Sequence, residues 1–410
     1  MPNCKKPLFL NPALLFTLIL HLLALPLFSA DKKILEQRIL SLVSNGTVIL
    51  DDESGHRLIS HRADELFIPA STIKILTSAI SLDLLGSDYR FRTEFFKNKS
   101  GEINIRGWGD PYLISEEIDI IADSLKKHDI SQIGKILLDH SKFAPSLQIP
   151  GISYTANPYD ALNGALVTNF NTLNVGKNEK GVVFSAEDVT PLTPLALAKA
   201  KALKPGAKER FNLSANPQDC QTYAGELFCA ILKKDGISVN NEEVSLAPVD
   251  SGWELFYTHK NSRDLTEINR GLLKYSNNFI ANQLFLTVGA EKLGYPATLE
   301  KGKTVFEDYI RSVMKIPSDQ LIMHEGSGIS RSNKVTGNVM IEILENRKEQ
   351  LSGILPSKHN ALVKSGTLSG VSNYAGYIQT EKGLRPFVIM LNQKSANRDK
   401  ILNLLIEYSR

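Results

Sequence analysis

The chain has 410 residues, 42% hydrophobic and 22% charged, with 27 Gly and 18 Pro. Such a composition belongs to a globular protein of two or three domains at roughly 150 residues each, and it excludes disordered, collagen-like and small-module classes. A formal charge of +3, from 47 basic and 44 acidic residues, provides no basic surplus for a nucleic-acid partner.

Residues 1–30 have the layout of an export signal: Lys5 and Lys6, a mostly apolar run from Leu14 to Phe28, then Ser29 and Ala30 before Asp31-Lys32-Lys33. His21 and Pro26 interrupt the run, which is short against the roughly 20 residues of a spanning helix. Cleavage near Ala30 would leave 45 basic against 44 acidic residues and place the mature chain outside the cytoplasm, with a periplasm the expected compartment. Cys4 precedes the apolar run, so it does not sit where a lipoprotein cysteine would.

From Gly46 to Leu50 and Arg57 to Ser60 the alternation of apolar and polar residues around turn signals predicts a hairpin. Ser71 to Leu85 carries Ile73, Leu76, Ile80 and Leu84 at helical spacing and stops at Gly86. Between Phe91 and Trp253 short strands mix with two helices in an internal echo, Leu125-Lys126-Lys127-His128-Asp129-Ile130-Ser131 and Leu232-Lys233-Lys234-Asp235-Gly236-Ile237-Ser238. Each copy reads as a helix feeding a strand. Cys220 and Cys229 fall on one expected helix, Pro217 to Lys234, where nine residues at about 1.5 Å rise hold them roughly 13 Å apart, beyond disulfide reach. Further helices are expected over Leu265 to Thr287, Leu299 to Met314, Gly337 to Glu345 and Ala396 to Tyr408. Strands are expected near Ala361 to Ser365, Ser372 to Thr380 and Pro386 to Asn392. No CxxC, HExxH or tight histidine cluster gives redox or metal chemistry a foothold, so no cofactor and no metal are expected.

Three short patterns carry chemistry. Ser71-Thr72-Ile73-Lys74 puts a hydroxyl and an amine on one helical face at the start of an apolar helix. The same spacing recurs at Ser29-Lys32, Ser124-Lys127 and Ser312-Lys315, so spacing alone does not select Ser71. A serine needs a base to become nucleophilic, and a lysine is one only if burial or another cation lowers its pKa. Lys364-Ser365-Gly366-Thr367, at the end of an expected strand, offers that cation. Its Gly366 admits a substrate backbone, and the Thr367 N–H can join that of Ser71 as an oxyanion hole. Ser276-Asn277-Asn278 lies between the Leu265 to Lys274 pattern and the apolar run Phe279 to Val288, and alone reads as a helix cap or turn.

In this order, Ser-x-x-Lys, Ser-x-Asn and Lys-Ser/Thr-Gly are the signatures of the penicillin-recognising serine acyl-transferases. The chain resembles, more narrowly, the D-Ala-D-Ala carboxypeptidase/endopeptidase family, the class C low-molecular-mass penicillin-binding proteins. That resemblance rests on Phe67-Ile68-Pro69-Ala70-Ser71-Thr72-Ile73-Lys74, Leu84-Leu85-Gly86-Ser87-Asp88-Tyr89-Arg90-Phe91, Gly107-Trp108-Gly109-Asp110-Pro111, Glu325-Gly326-Ser327-Gly328-Ile329-Ser330-Arg331 and Asn373-Tyr374-Ala375-Gly376-Tyr377. It implies an α/β (α+β) fold: a β-lactamase/transpeptidase-like domain with a five-stranded antiparallel sheet and helices on both faces. Residues 31–90 and 260–410 would form it. Residues 91–259 would be a β-rich insertion, since Ser71 and Ser276 lie 205 residues apart. The chain is short for the family around Pro191 to Lys208. Ser365 replaces the commoner Thr, and Glu325 replaces Asp in a side chain read as structural bracing.

The resemblance further implies Ser71 as nucleophile, Lys74 as base and Ser276 as proton relay. Asn278 would bind the substrate amide, and Lys364, Ser365 and Thr367 the terminal carboxylate. Peptidoglycan peptides would be the substrates and β-lactams the inhibitors, with peripheral membrane association, oligomeric state and the choice between carboxypeptidase and endopeptidase left open. Two other readings compete. A β-lactamase needs a carboxylate poised over the acyl-serine, and no such loop is marked. A non-turnover sensing or wall-binding module does not need all three signatures intact.

Overall fold

The computed structural model describes residues 31–145 and 147–410; the expected export signal, residues 1–30, lies outside the described residues. The central sheet is wholly antiparallel and runs, in spatial order, Ser357–Lys358, Ala361–Leu368, Val371–Thr380, Gly383–Leu391, Gly46–Asp51 and Arg57–His61. It therefore has six strands where five were expected, because a two-residue edge strand is too short to leave an alternation in sequence. Both faces are covered. Val48, Leu50, Phe387 and Ile389 pack on Ile401, Leu402 and Leu405 of the closing helix Arg398–Tyr408, while Ile49, Val388 and Met390 face Ile75, Leu76 and Leu284. Period-two alternation along central strands is what divides these two cores.

The segment from Arg92 to Lys260 builds a second sheet, ordered Ser238–Leu246, Gln132–Asp139, Ile103–Gly107, Arg92–Lys97 and Glu254–Lys260. Its first two pairings are parallel and the others antiparallel. The internal echo has a structural counterpart here. Helix Ser115–Lys127 turns through Asp129 (φ 61°) into one parallel strand, and helix Pro217–Lys234 turns through Gly236 (φ 86°) into its neighbour, with Ser238 opposite Gln132. In both copies an isoleucine N–H returns to the leucine carbonyl five residues back, Ile130 to Leu125 (3.1 Å) and Ile237 to Leu232 (2.9 Å). A small sheet of Val183–Ser185, Thr172–Lys177 and Lys208–Asn212 completes the segment, with a short helix, Pro194–Ala200, in the stretch read as abbreviated. Cys220 and Cys229 are free and buried, and burial pushes their thiols up to about 12 and about 11, which leaves them unreactive at neutral pH.

Two local departures from the expected elements shape the cleft. The stretch opening at Ser71 is not a single helix: Ala70–Ile73 is a 3₁₀ turn, and the α-helix runs Lys74–Leu85. The expected helix Leu265 to Thr287 is two helices, Leu265–Tyr275 and Asn278–Leu293, broken by Ser276 in the left-handed conformation (φ 54°). Asn277 caps the second helix by accepting from the Ile280 N–H at 3.1 Å. Among the described residues no helix is long and apolar enough to cross a membrane.

Candidate active site

A small sheet of Leu321–Ile322, Lys334–Thr336 and Leu66–Phe67 holds the 325–331 loop beside the turn that carries Ser71. Just before that serine, Ala70 adopts φ 47°, a left-handed conformation costing an alanine about 1–2 kcal/mol. Ser71 lies in the first turn, where the Thr72 N–H returns to Pro69 O at 3.3 Å while the Ser71 N–H has no backbone acceptor among the described residues. Gly328 makes this packing feasible, since a Cβ there would fall 1.9 Å from Ala70 O. Glu325 braces the loop. Its buried carboxylate accepts from the Ser327 N–H (2.7 Å), Ser327 Oγ (2.6 Å), Gly328 N–H (2.7 Å), Ser330 N–H (3.2 Å) and Asn333 Nδ2 (2.7 Å).

Lys74 is wholly buried, with Nζ 3.0 Å from Ser71 Oγ, 2.7 Å from Asn278 Oδ1 and 2.5 Å from Ser327 O. Burial, then the Lys364 charge, push its pKa well below the ordinary lysine range, against a smaller raising influence from Glu325. A neutral amine has two N–H donors and one lone pair. Asn278 Oδ1 and Ser327 O only accept, so they take the two N–H groups, and the lone pair is left facing the Ser71 hydroxyl. That is the hydrogen-bond arrangement a general base requires.

Lys364 is 2% exposed and donates to Ser276 Oγ (2.8 Å) and to Ser365 O (2.9 Å). Burial first and the Arg398 charge second lower its pKa to about 8, so at neutral pH it is the charged lysine of the pair. The Lys-Ser-Gly-Thr run lies within strand Ala361–Leu368 and not at its end. Val363 N–H points away from the neighbouring strand, to Pro356 O at 2.8 Å, so the period of two aims the Thr367 N–H out of the sheet on the same edge. Gly366 packs against the serine turn: a Cβ there would lie 2.7 Å from Pro69 O and 3.0 Å from both Ser71 N and Thr72 N. Since all three neighbours are backbone atoms, Gly366→Ala is expected to displace the turn and slow acylation by penicillin roughly 10- to 100-fold. Stopped-flow acylation rates check this.

The structure thus joins Ser71, Lys74 and Asn278 in one hydrogen-bonded group and Lys364 with Ser276 in a second. Ser365 and Thr367 are exposed on the strand, and Thr367 Oγ1 accepts from Arg398 at 2.8 Å. Asn278 also has partners that the sequence did not indicate: its Oδ1 accepts from Lys74, and its Nδ2 donates to Tyr159 O at 3.3 Å, on a 3₁₀ turn of the intervening segment. The Ser327 and Tyr159 contacts are carbonyls, which leave no mark on residue identity. Arg398 did leave one, as a cation opening a helix whose N-terminus is itself positive.

The chain matches the D-Ala-D-Ala carboxypeptidase 3 (S13) family over residues 30–194 and 201–355, and the gap falls in the short Pro194–Ala200 helix. It is 26% identical to a D-alanyl-D-alanine carboxypeptidase of Actinomadura sp. (strain R39), across 92% of this chain and 84% of that protein. In structure it superposes on penicillin-binding protein 4 (dacB) of Haemophilus influenzae with a TM-score of 0.72 and 21% identity, covering 92% of this chain and 99% of that one. A penicillin G-acylated predatory endopeptidase of Bdellovibrio bacteriovorus gives a TM-score of 0.52 at 16% identity, over 88% of this chain and 92% of the other. A six-stranded antiparallel sheet covered by helices, and a family match over most of the length, lead to one assignment. The chain belongs to the D-Ala-D-Ala carboxypeptidase 3 (S13) family and is a serine-type D-Ala-D-Ala carboxypeptidase.

Proposed function

We propose that Ser71 is the nucleophile and Lys74 its base in two-step hydrolysis of peptidoglycan stem peptides. The observation that supports this most is the buried Lys74 amine, whose two other hydrogen-bond partners are both acceptors. Ser71 gives its proton to Lys74 as Oγ bonds to the carbonyl carbon of the penultimate D-alanine, and the Ser71 and Thr367 N–H groups hold the oxyanion. Ser276 Oγ accepts from Lys364, so its own proton can pass to the leaving nitrogen as the C–N bond breaks, and the proton that Lys74 took from Ser71 replaces it, which returns Lys74 to the neutral amine. Asn278 steadies Lys74 and offers its Nδ2 to the substrate backbone, while Lys364, Ser365 and Thr367 take the terminal carboxylate. Neutral again, Lys74 takes a proton from water as the water oxygen bonds to the ester carbonyl carbon, and gives it to Ser71 Oγ as the acyl–Oγ bond breaks, which restores the serine and the amine.

If the leaving amine belongs to a neighbouring stem peptide, the same steps cut a cross-link. The Bdellovibrio endopeptidase, with its penicillin adduct, shares this fold and agrees with both endopeptidase capacity and acylation by β-lactams. The catalytic domain in this reading comprises residues 31–90 and 260–410 with residues 91–259 inserted, and residues 1–30 direct export to a periplasm. Incubating the purified protein with pentapeptide and with cross-linked muropeptide, and resolving products by mass, tests it. Release of D-alanine or of uncrosslinked stems is expected, and release of neither overturns the reading.

A further inference from the structure

Arg398 is the first residue of the closing helix, at a terminus whose partial positive charge disfavours a cation. Among the described residues it has no ion-pair partner. Neighbouring Asp399 is already committed, to Lys358 at 2.6 Å and to the Tyr374 hydroxyl at 3.0 Å. The guanidinium carbon lies 4.5 Å above the Tyr374 ring, a stacking that fixes its plane. Among the described residues the hydrogen bonds of the side chain all come from Nη1: to Thr367 Oγ1 (2.8 Å), Gly366 O (2.9 Å) and Asn373 O (3.3 Å). Nε and Nη2 donate to no protein group among the described residues. A second cation, Lys364, lies on the strand that carries Thr367 and is close enough that Arg398 lowers its pKa.

Two cations this close repel, and although Arg398 also acts on the Asp399 carboxylate, that carboxylate is bonded to Lys358 and Tyr374, so an entering anion relieves the repulsion. The nature of that anion follows from Thr367. A hydroxyl that accepts from Arg398 keeps its own proton for another acceptor. We propose that Arg398 is a specificity-determining residue for the free C-terminal carboxylate of the substrate: it turns the Thr367 hydroxyl toward that carboxylate and adds a second positive charge beside it. This rests on the Ser71 reading above, and it names what separates a chain-terminal substrate from one whose last carboxyl is blocked. Arginine suits the task because its planar fork can hold Thr367 with one nitrogen and face a carboxylate with the others.

The test compares Arg398→Gln and Arg398→Lys with the wild type on an N-acylated peptide ending in D-Ala-D-Ala, supplied as the free acid and as the C-terminal amide. Acylation by benzylpenicillin and by its methyl ester repeats the comparison without turnover. Arg398→Gln is expected to lower kcat/KM for the acid about tenfold or more, mainly through KM, and to leave the amide within about twofold, with Lys restoring part of the loss. An equal fall on acid and amide would mean a merely structural role, and no fall on the acid would mean no role; either result overturns the proposal. A wild type that takes no penicillin label and cleaves neither peptide overturns the Ser71 reading and this inference together. A labelled wild type whose acid preference survives Arg398→Gln overturns this inference alone.

Discussion

Ser71→Ala is expected to lose penicillin labelling entirely and to slow release of D-alanine by about 10⁴-fold or more, because nucleophile and base act as a unit. The fold should be unaffected: Ser71 is only partly buried, and among the described residues its hydroxyl hydrogen-bonds with Lys74 alone. Intact-mass measurement after exposure to penicillin decides the point together with a melting curve. The alternatives of equal spacing differ in surroundings. Ser124 Oγ donates back to Ile120 O at 3.0 Å, and Ser312 Oγ to Asp308 O, both at exposed helix positions. Neither faces a buried amine, so an adduct on either would overturn the assignment of the nucleophile.

Elements with a long periodic pattern were legible in the sequence, and so was the order of the three motifs. Helix Pro217–Lys234 appears with the bounds its pattern implies, framed by the Asn216 cap and Pro at its first position. What escaped was decided by tertiary contact or by backbone groups. Nothing local says that Ser71 begins in a 3₁₀ turn, because that conformation depends on Gly328 and Gly366 closing on the turn from distant parts of the chain. The three-residue spacing brings Lys74 to Ser71, but what fixes its protonation is burial beneath residues more than 200 positions away, Asn278 and Ser327. Ser276-Asn277-Asn278 showed a helix break locally. Its left-handed serine facing Lys364 is a product of the packing. Glu325 is the favourable case: the resemblance implied a bracing side chain there, and its carboxylate gathers the N–H groups of that loop.

The two lysines should separate under substitution by arginine. Lys74→Arg keeps a charge but removes a base, because a guanidinium stays protonated at any working pH; acylation should fall roughly 10²- to 10⁴-fold. Lys74→Met, which removes the amine without burying a charge, should lose acylation to the same degree with the fold retained, excluding misfolding as the cause. Lys364→Arg keeps the cation that faces carboxylate and should lose roughly tenfold through misplacement alone. The sign of the pH dependence follows from which form of each lysine is active. Lys74 works neutral and its pKa is depressed, so the rate should rise as it deprotonates, on an acid limb well below the ordinary lysine range. Lys364 works charged with a pKa lowered to about 8, so the rate should fall again above that value as its charge is lost. Arginine at 364 does not titrate there, and the alkaline fall should vanish from that variant while the acid limb remains. Second-order acylation rates against pH for the wild type and the three variants decide the matter. An unchanged alkaline fall in Lys364→Arg would mean that another group titrates there, and equal losses in the two arginine variants would mean that base and anion-binding cation are not separate roles.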